Sequence, residues 1–518
     1  MKKNHIFHFI YVAPPLFLLF FLSIKQENQK AKNQYLHLNS SGKELAMRYC
    51  QMCHAFPDPS LLDKKTWTKD VLPNMGMRLG VKYDGVNPYE SLEVEDIQIT
   101  KELNIFPETP LISDADWTSI VEYYELTAPK KLPTEGKTTK INNTEMPFAP
   151  QFINVGEAML PKVSLLKFNE LESELYIGDY HTLFALKSNG VINGRWKINS
   201  PATHIEFRKN SPPLVTTIGK FGPSDQKEGI LYNLYKANSQ DNLDVVFSNL
   251  KRPVYFASDD LNMDNTMDVV VCNFGNYQGN LSWYENFDQS KEHVLSDLPG
   301  ARKVEIKDLN GDKKPDIIVL MAQAYEQLVI YYNKGENVFE QKKVLEFSPA
   351  HGVSNFELAD FNGDGHEDVL ISNGDNWDFS NIEKPYHGLR IYLNDGRDNF
   401  GEAFFYPMYG CSKAMARDFD NDGDLDIVAT SFYADLKDPK ESFVYLTNNG
   451  QLNFTASFLP EAAYGKWMTM EVGDINDDGL LDVMLGSFLM NFTEMGKVFA
   501  NTGTATFPQV LLLTQMTD

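Results

Sequence analysis

Cysteine is scarce, with four in 518 residues. That excludes a disulfide-stapled scaffold, whose stability rests on bridges rather than on a core. Basic charge is short as well: 47 Lys and Arg stand against 71 Asp and Glu, for a net charge of −24. A nucleic-acid partner needs a cationic footprint, so that class is excluded too. The chain also lacks a Gly-rich phosphate loop, a Gly-x-Ser-x-Gly elbow and a His-Glu-x-x-His helix. Its six tryptophans are scattered and form no ring that would suggest a stacked quinone. What remains is an ordinary globular composition, 42% hydrophobic and 12% aromatic, long enough for more than one domain.

Long apolar runs are missing with one exception. Lys2 and Lys3 precede an uncharged stretch of 19 residues from Ile6 to Ile24, enough to cross a bilayer. No Ala-x-Ala-like site follows, so residues 1–24 read as an uncleaved membrane anchor in preference to a cleaved signal peptide, with 25–40 as a linker. No cysteine follows closely, which excludes a lipoprotein anchor. The rest of the chain is expected to be exported, either on the periplasmic side of the inner membrane or free in the periplasm or at the cell surface.

Two of the four cysteines fall in one short stretch, "RYCQMCHAF". A zinc site needs a second ligand pair, and Cys272 and Cys411 are single and distant. A redox dithiol wants a βαβ setting, whereas these surroundings read as helical. The third reading is covalent haem attachment: Cys50 and Cys53 as thioethers and His54 as an axial iron ligand. A short helix leads into the motif, and a second helical stretch stops at Pro73 before a loop offering Met75 and Met77. A closing helix follows, capped by Ser113 and Asp116, with Trp117, Ile120, Val121 and Tyr124 on one face. In these features residues 41–130 resemble the small monohaem c-type cytochromes. The resemblance implies an all-α domain, one haem c and a distal methionine ligand. Met75, in "LPNMGMRLG", matches best, and Met77 is the alternative.

Residues 131–150 are polar, proline-bearing and aperiodic, as a linker would be. Beyond them one nonapeptide recurs: "DLNMDNTMD", "DLNGDKKPD", "DFNGDGHED", "DFDNDGDLD" and "DINDDGLLD", starting at Asp260, Asp308, Asp360, Asp418 and Asp474. Each is followed by a buried-strand run such as "VVVCNFG" or "IIVLMA" and preceded by an alternating one such as "SNFELAD". Four strands per period of about fifty residues make one propeller blade. Two earlier periods have the strands without the acidic loop, so residues 151–518 are expected to form an all-β, seven-bladed propeller.

In each loop, Asp at positions 1, 5 and 9 with Asp or Asn at 3 sets oxygens on one side of a tight turn, as a hard cation such as Ca²⁺ requires. The candidate ligands are Asp260, Asn262, Asp264 and Asp268 in the first loop, and Asp308, Asn310, Asp312 and Asp316 in the second. They continue with Asp360, Asn362, Asp364 and Asp368, then Asp418, Asp420, Asp422 and Asp426, then Asp474, Asn476, Asp478 and Asp482, for up to five ions. Strands flank the loops and position 12 of the third copy is Ile371, so these are not EF-hands. The loops resemble those of FG-GAP and VCBS repeats, the propeller repeats also found in integrin α chains. Before or near the first strand of each blade stands a basic residue: Lys162, His204, Arg252, Arg302, His351, Lys413 and Lys466. These would converge on one channel mouth as an anion site if the blades are equivalent. Cys272 lies mid-strand and reads as a small buried hydrophobe.

The expectation is an exported electron-transfer protein whose propeller docks a redox partner protein or a small-molecule or glycan ligand. One alternative makes the propeller a sugar- or alcohol-oxidising catalytic domain that feeds the haem. Another makes the chain a surface adhesion or glycan-binding protein.

Overall fold

The computed structural model describes residues 41–133, 140–141, 146–156, 159–236, 242–323, 325–375, 382–433 and 439–516. The apolar run 6–24 lies outside them. Among the described residues no helix is long and apolar enough to cross a membrane.

Residues 41–130 form a helical unit with a core of its own. Its helices span residues 41–50, then 64–78 without a break, Val94–Glu102 and Asp114–Thr127. Trp67, Leu72, Trp117, Ile120 and Tyr124 fill the centre, and Cys50 and Met75 pack against its edge. The expected stop at Pro73 does not occur. A proline inside a helix lacks its N–H and crowds the carbonyl four residues back. Here the preceding turn, Trp67–Val71, opens to π geometry, with the Leu72 N–H reaching the Trp67 carbonyl, and the helix runs on to Arg78. Met75 and Met77 therefore sit on a helix and not on a loop.

Seven four-stranded antiparallel sheets follow, each ordered from an inner strand outwards. The inner strands are Val163–Asn169, Ala202–Arg208, Pro253–Asp259, Ala301–Lys307, Val353–Ala359, Cys411–Arg417 and Trp467–Gly473. They surround the axis of a seven-bladed β-propeller. Each sheet is covered on both faces by its neighbours. The second strands of the last five blades, such as Asp316–Met321, are therefore buried throughout and read as unbroken apolar runs. The cores lie between blades: Val319 and Val329 pack on Val270 and Trp283, and Ile371 and Tyr392 on Ile318 and Ile330.

The segment expected as a linker does structural work at its end. Phe148–Ile153 is the outer strand of the seventh blade, paired antiparallel with Val510–Gln515 from Phe148↔Gln515 to Ile153↔Val510. Lys140–Ile141 adds a short parallel strand to the sixth blade. Phe148 is buried against Phe419 and Tyr445, which the polar residues around it in sequence conceal.

The acidic loops join first to second strands, so they share one face of the ring. The helical unit rests on the opposite face, on loops joining second to third strands. Asp96 accepts from Ser224 Oγ (2.9 Å) and the Asp225 N–H (3.0 Å), and Glu93 pairs with Lys220 (2.8 Å). Arg78 donates to Tyr277 Oη at 3.1 Å, and Tyr386 donates to the Leu61 carbonyl at 2.8 Å.

Candidate functional site

The five acidic loops are near-copies in space. Position 1 accepts the N–H groups of positions 5 and 6: Asp264 N and Asn265 N reach Asp260 at 2.9 and 2.8 Å, and Asp478 N and Gly479 N reach Asp474 at 3.0 and 2.8 Å. This wrapping needs left-handed backbone twice. Position 4 has φ of 59–77° and position 6 of 66–95° in all five copies, although Met263, Asn265 and Lys313 are among the residues that must adopt it. The side chains of positions 1, 3 and 5 are left on the solvent side together. In the loop from Asp418, the carboxylates of Asp418, Asp420 and Asp422 lie within 4.8 Å of one another. Burial and the two neighbouring negative charges push Asp420 above the usual carboxylate range. A divalent cation would cancel that repulsion, and the donor set, all hard oxygen, suits calcium. In three of the four loops where position 3 is Asn, its amide donates to position 5, as Asn362 does to Asp364 at 3.0 Å.

Position 9 has a further task. Asp268, Asp316, Asp368, Asp426 and Asp482 are completely buried. One oxygen of each accepts the position-2 N–H, for Asp368 from Phe361 at 2.9 Å. The other accepts a backbone N–H at the end of the third strand: Asn286, Asn333, Asn394, Asn448 or Gln515, at 2.7–2.9 Å. The residue clamps loop, second strand and third strand together.

The Cys-x-x-Cys-His motif follows directly on the helix 41–50. Cys50 is half-buried and Cys53 exposed, and neither is in a disulfide. Burial, with the nearby Cys53, pushes the Cys50 thiol up to about 11. His54 Nδ1 donates to the Ala55 carbonyl at 2.7 Å, which leaves Nε2 with its lone pair. Burial keeps the ring below the ordinary imidazole range and so neutral at pH 7. The Arg78 charge adds to this effect, and Arg78 is the side chain that touches Tyr277 of the propeller.

The seven basic residues divide. Lys162, Arg252, Arg302, His351 and Lys466 stand at or near the starts of inner strands, at the end that carries the helical unit, and each is engaged locally. Lys162 lies over the Tyr180 and Phe488 rings, and Lys466 binds Glu494 at 2.6 Å. Arg252 donates to the carbonyls of Lys220, Phe221 and Gly275, and Arg302 to that of Ser354. The His351 ring leans on Tyr386. His204 and Lys413 lie deeper, in the channel wall. They have company that the sequence reading passed over: Lys167, Tyr255, Lys303, Glu305 and Glu471. The signal was present as polar residues alternating with apolar ones in the first strands, as in "RKVEIKD".

A family model for the FG-GAP-like repeat matches residues 260–319, 308–371 and 418–485, which between them contain all five acidic loops. The chain carries FG-GAP-like repeats. No curated protein matches it. Similar solved structures include the Pan2 WD40 domain of Neurospora crassa, at 9% identity and a TM-score of 0.40, covering 69% of this chain and 92% of that one. They also include the periplasmic gluconolactonase PpgL of Pseudomonas aeruginosa, at 12% identity and a TM-score of 0.38, covering 57% and 84%. Likenesses this distant carry no functional argument.

Proposed function

We propose that the chain is an exported electron-transfer protein in which residues 41–130 carry one covalent haem c and the FG-GAP-like propeller holds calcium and docks a partner. The observation that carries this reading is the Cys50-x-x-Cys53-His54 motif in its setting. Two unbridged thiols three residues apart stand beside a neutral imidazole whose Nδ1 is tied to a carbonyl and whose Nε2 is available to a metal. When bound, the haem would supply one-electron chemistry. The chain's part is to anchor it through Cys50 and Cys53, to present His54 in a fixed tautomer, and to offer Met75, or else Met77, from the helix that packs on the same core. Arg78 connects that neighbourhood to the third blade, so a partner's electrons would have a short protein path to the motif. Export through the segment 1–24 would place the chain where such haem is attached.

The test is a haem stain on protein made in a host with haem-attachment machinery. One haem should stay bound through acid–acetone extraction, and Cys50→Ala with Cys53→Ala should abolish it. A full-length product without haem overturns the reading. Following haem reduction over a panel of sugars and alcohols then separates a partner-fed carrier from a propeller that oxidises a substrate itself.

A further inference from the structure

Between its second and third strands, Asp482–Ser487 and Val510–Gln515, the seventh blade inserts a helix, Phe492–Thr502. One side of this helix is packed. Val498 is buried, and Met495 joins it with Leu160, Leu489 and Phe507. Glu494, the helix's only carboxylate, is bound to Lys466 at 2.6 Å. The other side is bare. Phe492 is 73% exposed and Phe499 52%, and positions 492, 496 and 499 fall on one helical face, with Gly496 exposed between the rings. Met159, next to the packed Leu160, is 76% exposed. Lys497 is exposed on a different side of the helix, and Glu461 stands on the turn Pro460–Tyr464 against which the helix packs, so the strip itself carries no charge.

Large apolar side chains left bare together mark a contact with something outside the fold. The two rings offer roughly 250 Å² between them, under a third of the ~800 Å² that each partner buries in a stable protein interface. That is too little for a second copy. A bilayer needs no matching shape, and a tether makes a small contact effective by holding it near its target. Sixteen residues, 25–40, separate the apolar run 6–24 from the helix that begins at residue 41, and at about 3.5 Å each they reach up to roughly 55 Å. The helix Phe492–Thr502 joins a second strand to a third, so it lies on the face of the ring that carries the helical unit. That unit holds loops of blades two, three and five and leaves this helix uncovered. The acidic loops are on the far face. Seven-residue strands such as Trp467–Gly473 separate the two faces by roughly 23 Å, well over the Debye length of about 8 Å. With this face towards lipid, the carboxylates of the loops are screened from anionic headgroups.

We propose that this strip is a second membrane contact: Phe492, Phe499 and Met159 enter the boundary between headgroups and acyl chains, and the ring leans on the bilayer by its seventh blade. The proposal rests on reading residues 1–24 as an uncleaved anchor, and it is independent of the haem. A flexible tether holds the chain to the membrane without fixing its attitude. The strip sets that attitude. It turns the acidic loops away from the lipid and brings the helical unit to the membrane's side.

The test uses full-length, calcium-loaded protein reconstituted with phosphatidylcholine vesicles, and flotation reads the anchor. Phe499→Trp then reads the strip, because bromine on the acyl chains quenches a tryptophan that lies among them. With the signal of the unaltered protein subtracted, brominated vesicles should remove at least half of the added fluorescence. Phe492→Ser with Met159→Ser, added to Phe499→Trp, should cut that quenching severalfold while flotation stays unchanged. All three positions are exposed, so the substitutions leave the core intact. Protein that floats without quenching overturns the proposal and leaves the anchor reading standing. Protein that stays in solution overturns both, the result expected if the run 6–24 covers the strip itself. A dimer in detergent that Phe492→Ser abolishes would assign the strip to a second copy and overturn the proposal as well.

Discussion

Met263 holds a left-handed backbone (φ 60°) on an exposed loop. That conformation costs a side-chain-bearing residue about 1–2 kcal/mol, and glycine returns roughly half of the gain as unfolded-state entropy. Met263→Gly should therefore raise stability by up to about 1 kcal/mol in urea unfolding, and an unchanged midpoint would show that the loop relaxes elsewhere. His351 acts on pH. Burial, with the Arg390 charge, holds its imidazole down to about 4. A depressed folded value means that its full contribution is present above the ordinary value of 6.5. That contribution is lost as the pH falls towards 4, a difference of about 3 kcal/mol. His204 and His387, held well below the ordinary imidazole range by burial, act in the same direction. The melting temperature should drop between pH 6.5 and 4, and His351→Gln should flatten part of that slope. An equal slope in the variant would assign the acid sensitivity to other groups.

The acidic loop divides its carboxylates between two tasks, and substitution separates them. Asp368→Asn replaces one of two acceptor oxygens by a donor facing a backbone N–H, which leaves a buried bond unmade at about 1–3 kcal/mol. Its destabilisation should persist in chelator. Asp364→Asn, on the exposed side of the same loop, should cost stability only when calcium is present. Equal losses in chelator would mean that the clamp and the ligand set are not distinct. Legibility in the sequence follows the same division. The nonapeptide showed five loops, and the apolar runs after it, with two earlier strand periods that lack the loop, showed seven blades, because a blade buried on both faces leaves no polar alternation to confuse the period. The position-9 clamp was not legible, since an aspartate looks the same whether it faces a cation or two N–H groups. Pro73 misled because a π turn hides a proline that a regular α-helix would not tolerate. Phe148–Ile153 was missed because its partner strand is at the other end of the chain, and pairing over that distance leaves no local pattern. In residues 41–130 the cysteine spacing spoke for chemistry, while the helices around it needed only ordinary amphipathic periodicity.

At the scale of the whole molecule, the acidic loops and the helical unit occupy opposite faces of the ring. An ion bound only by the folded state stabilises it by mass action, about 2.7 kcal/mol per site at a hundred times its dissociation constant. Chelation should therefore lower the melting temperature of the propeller while leaving the Arg78–Tyr277 and Asp96–Ser224 contacts, and the helices behind them, in place. Coincident melting curves with and without chelator would refute calcium binding. The loop from Asp308 should give up its ion first, because Lys314 already pairs with Asp312 at 3.0 Å. The seam of the seventh blade, finally, sets an order in time. Gln515 is made long after Phe148, with which it pairs. Throughout synthesis the growing chain is an open arc, with one strand waiting and a free sheet edge at the newest blade. Such edges are where chains join the wrong neighbour. Closure waits for Val510–Gln515, and a chain cut before Val510 would be an arc that cannot close.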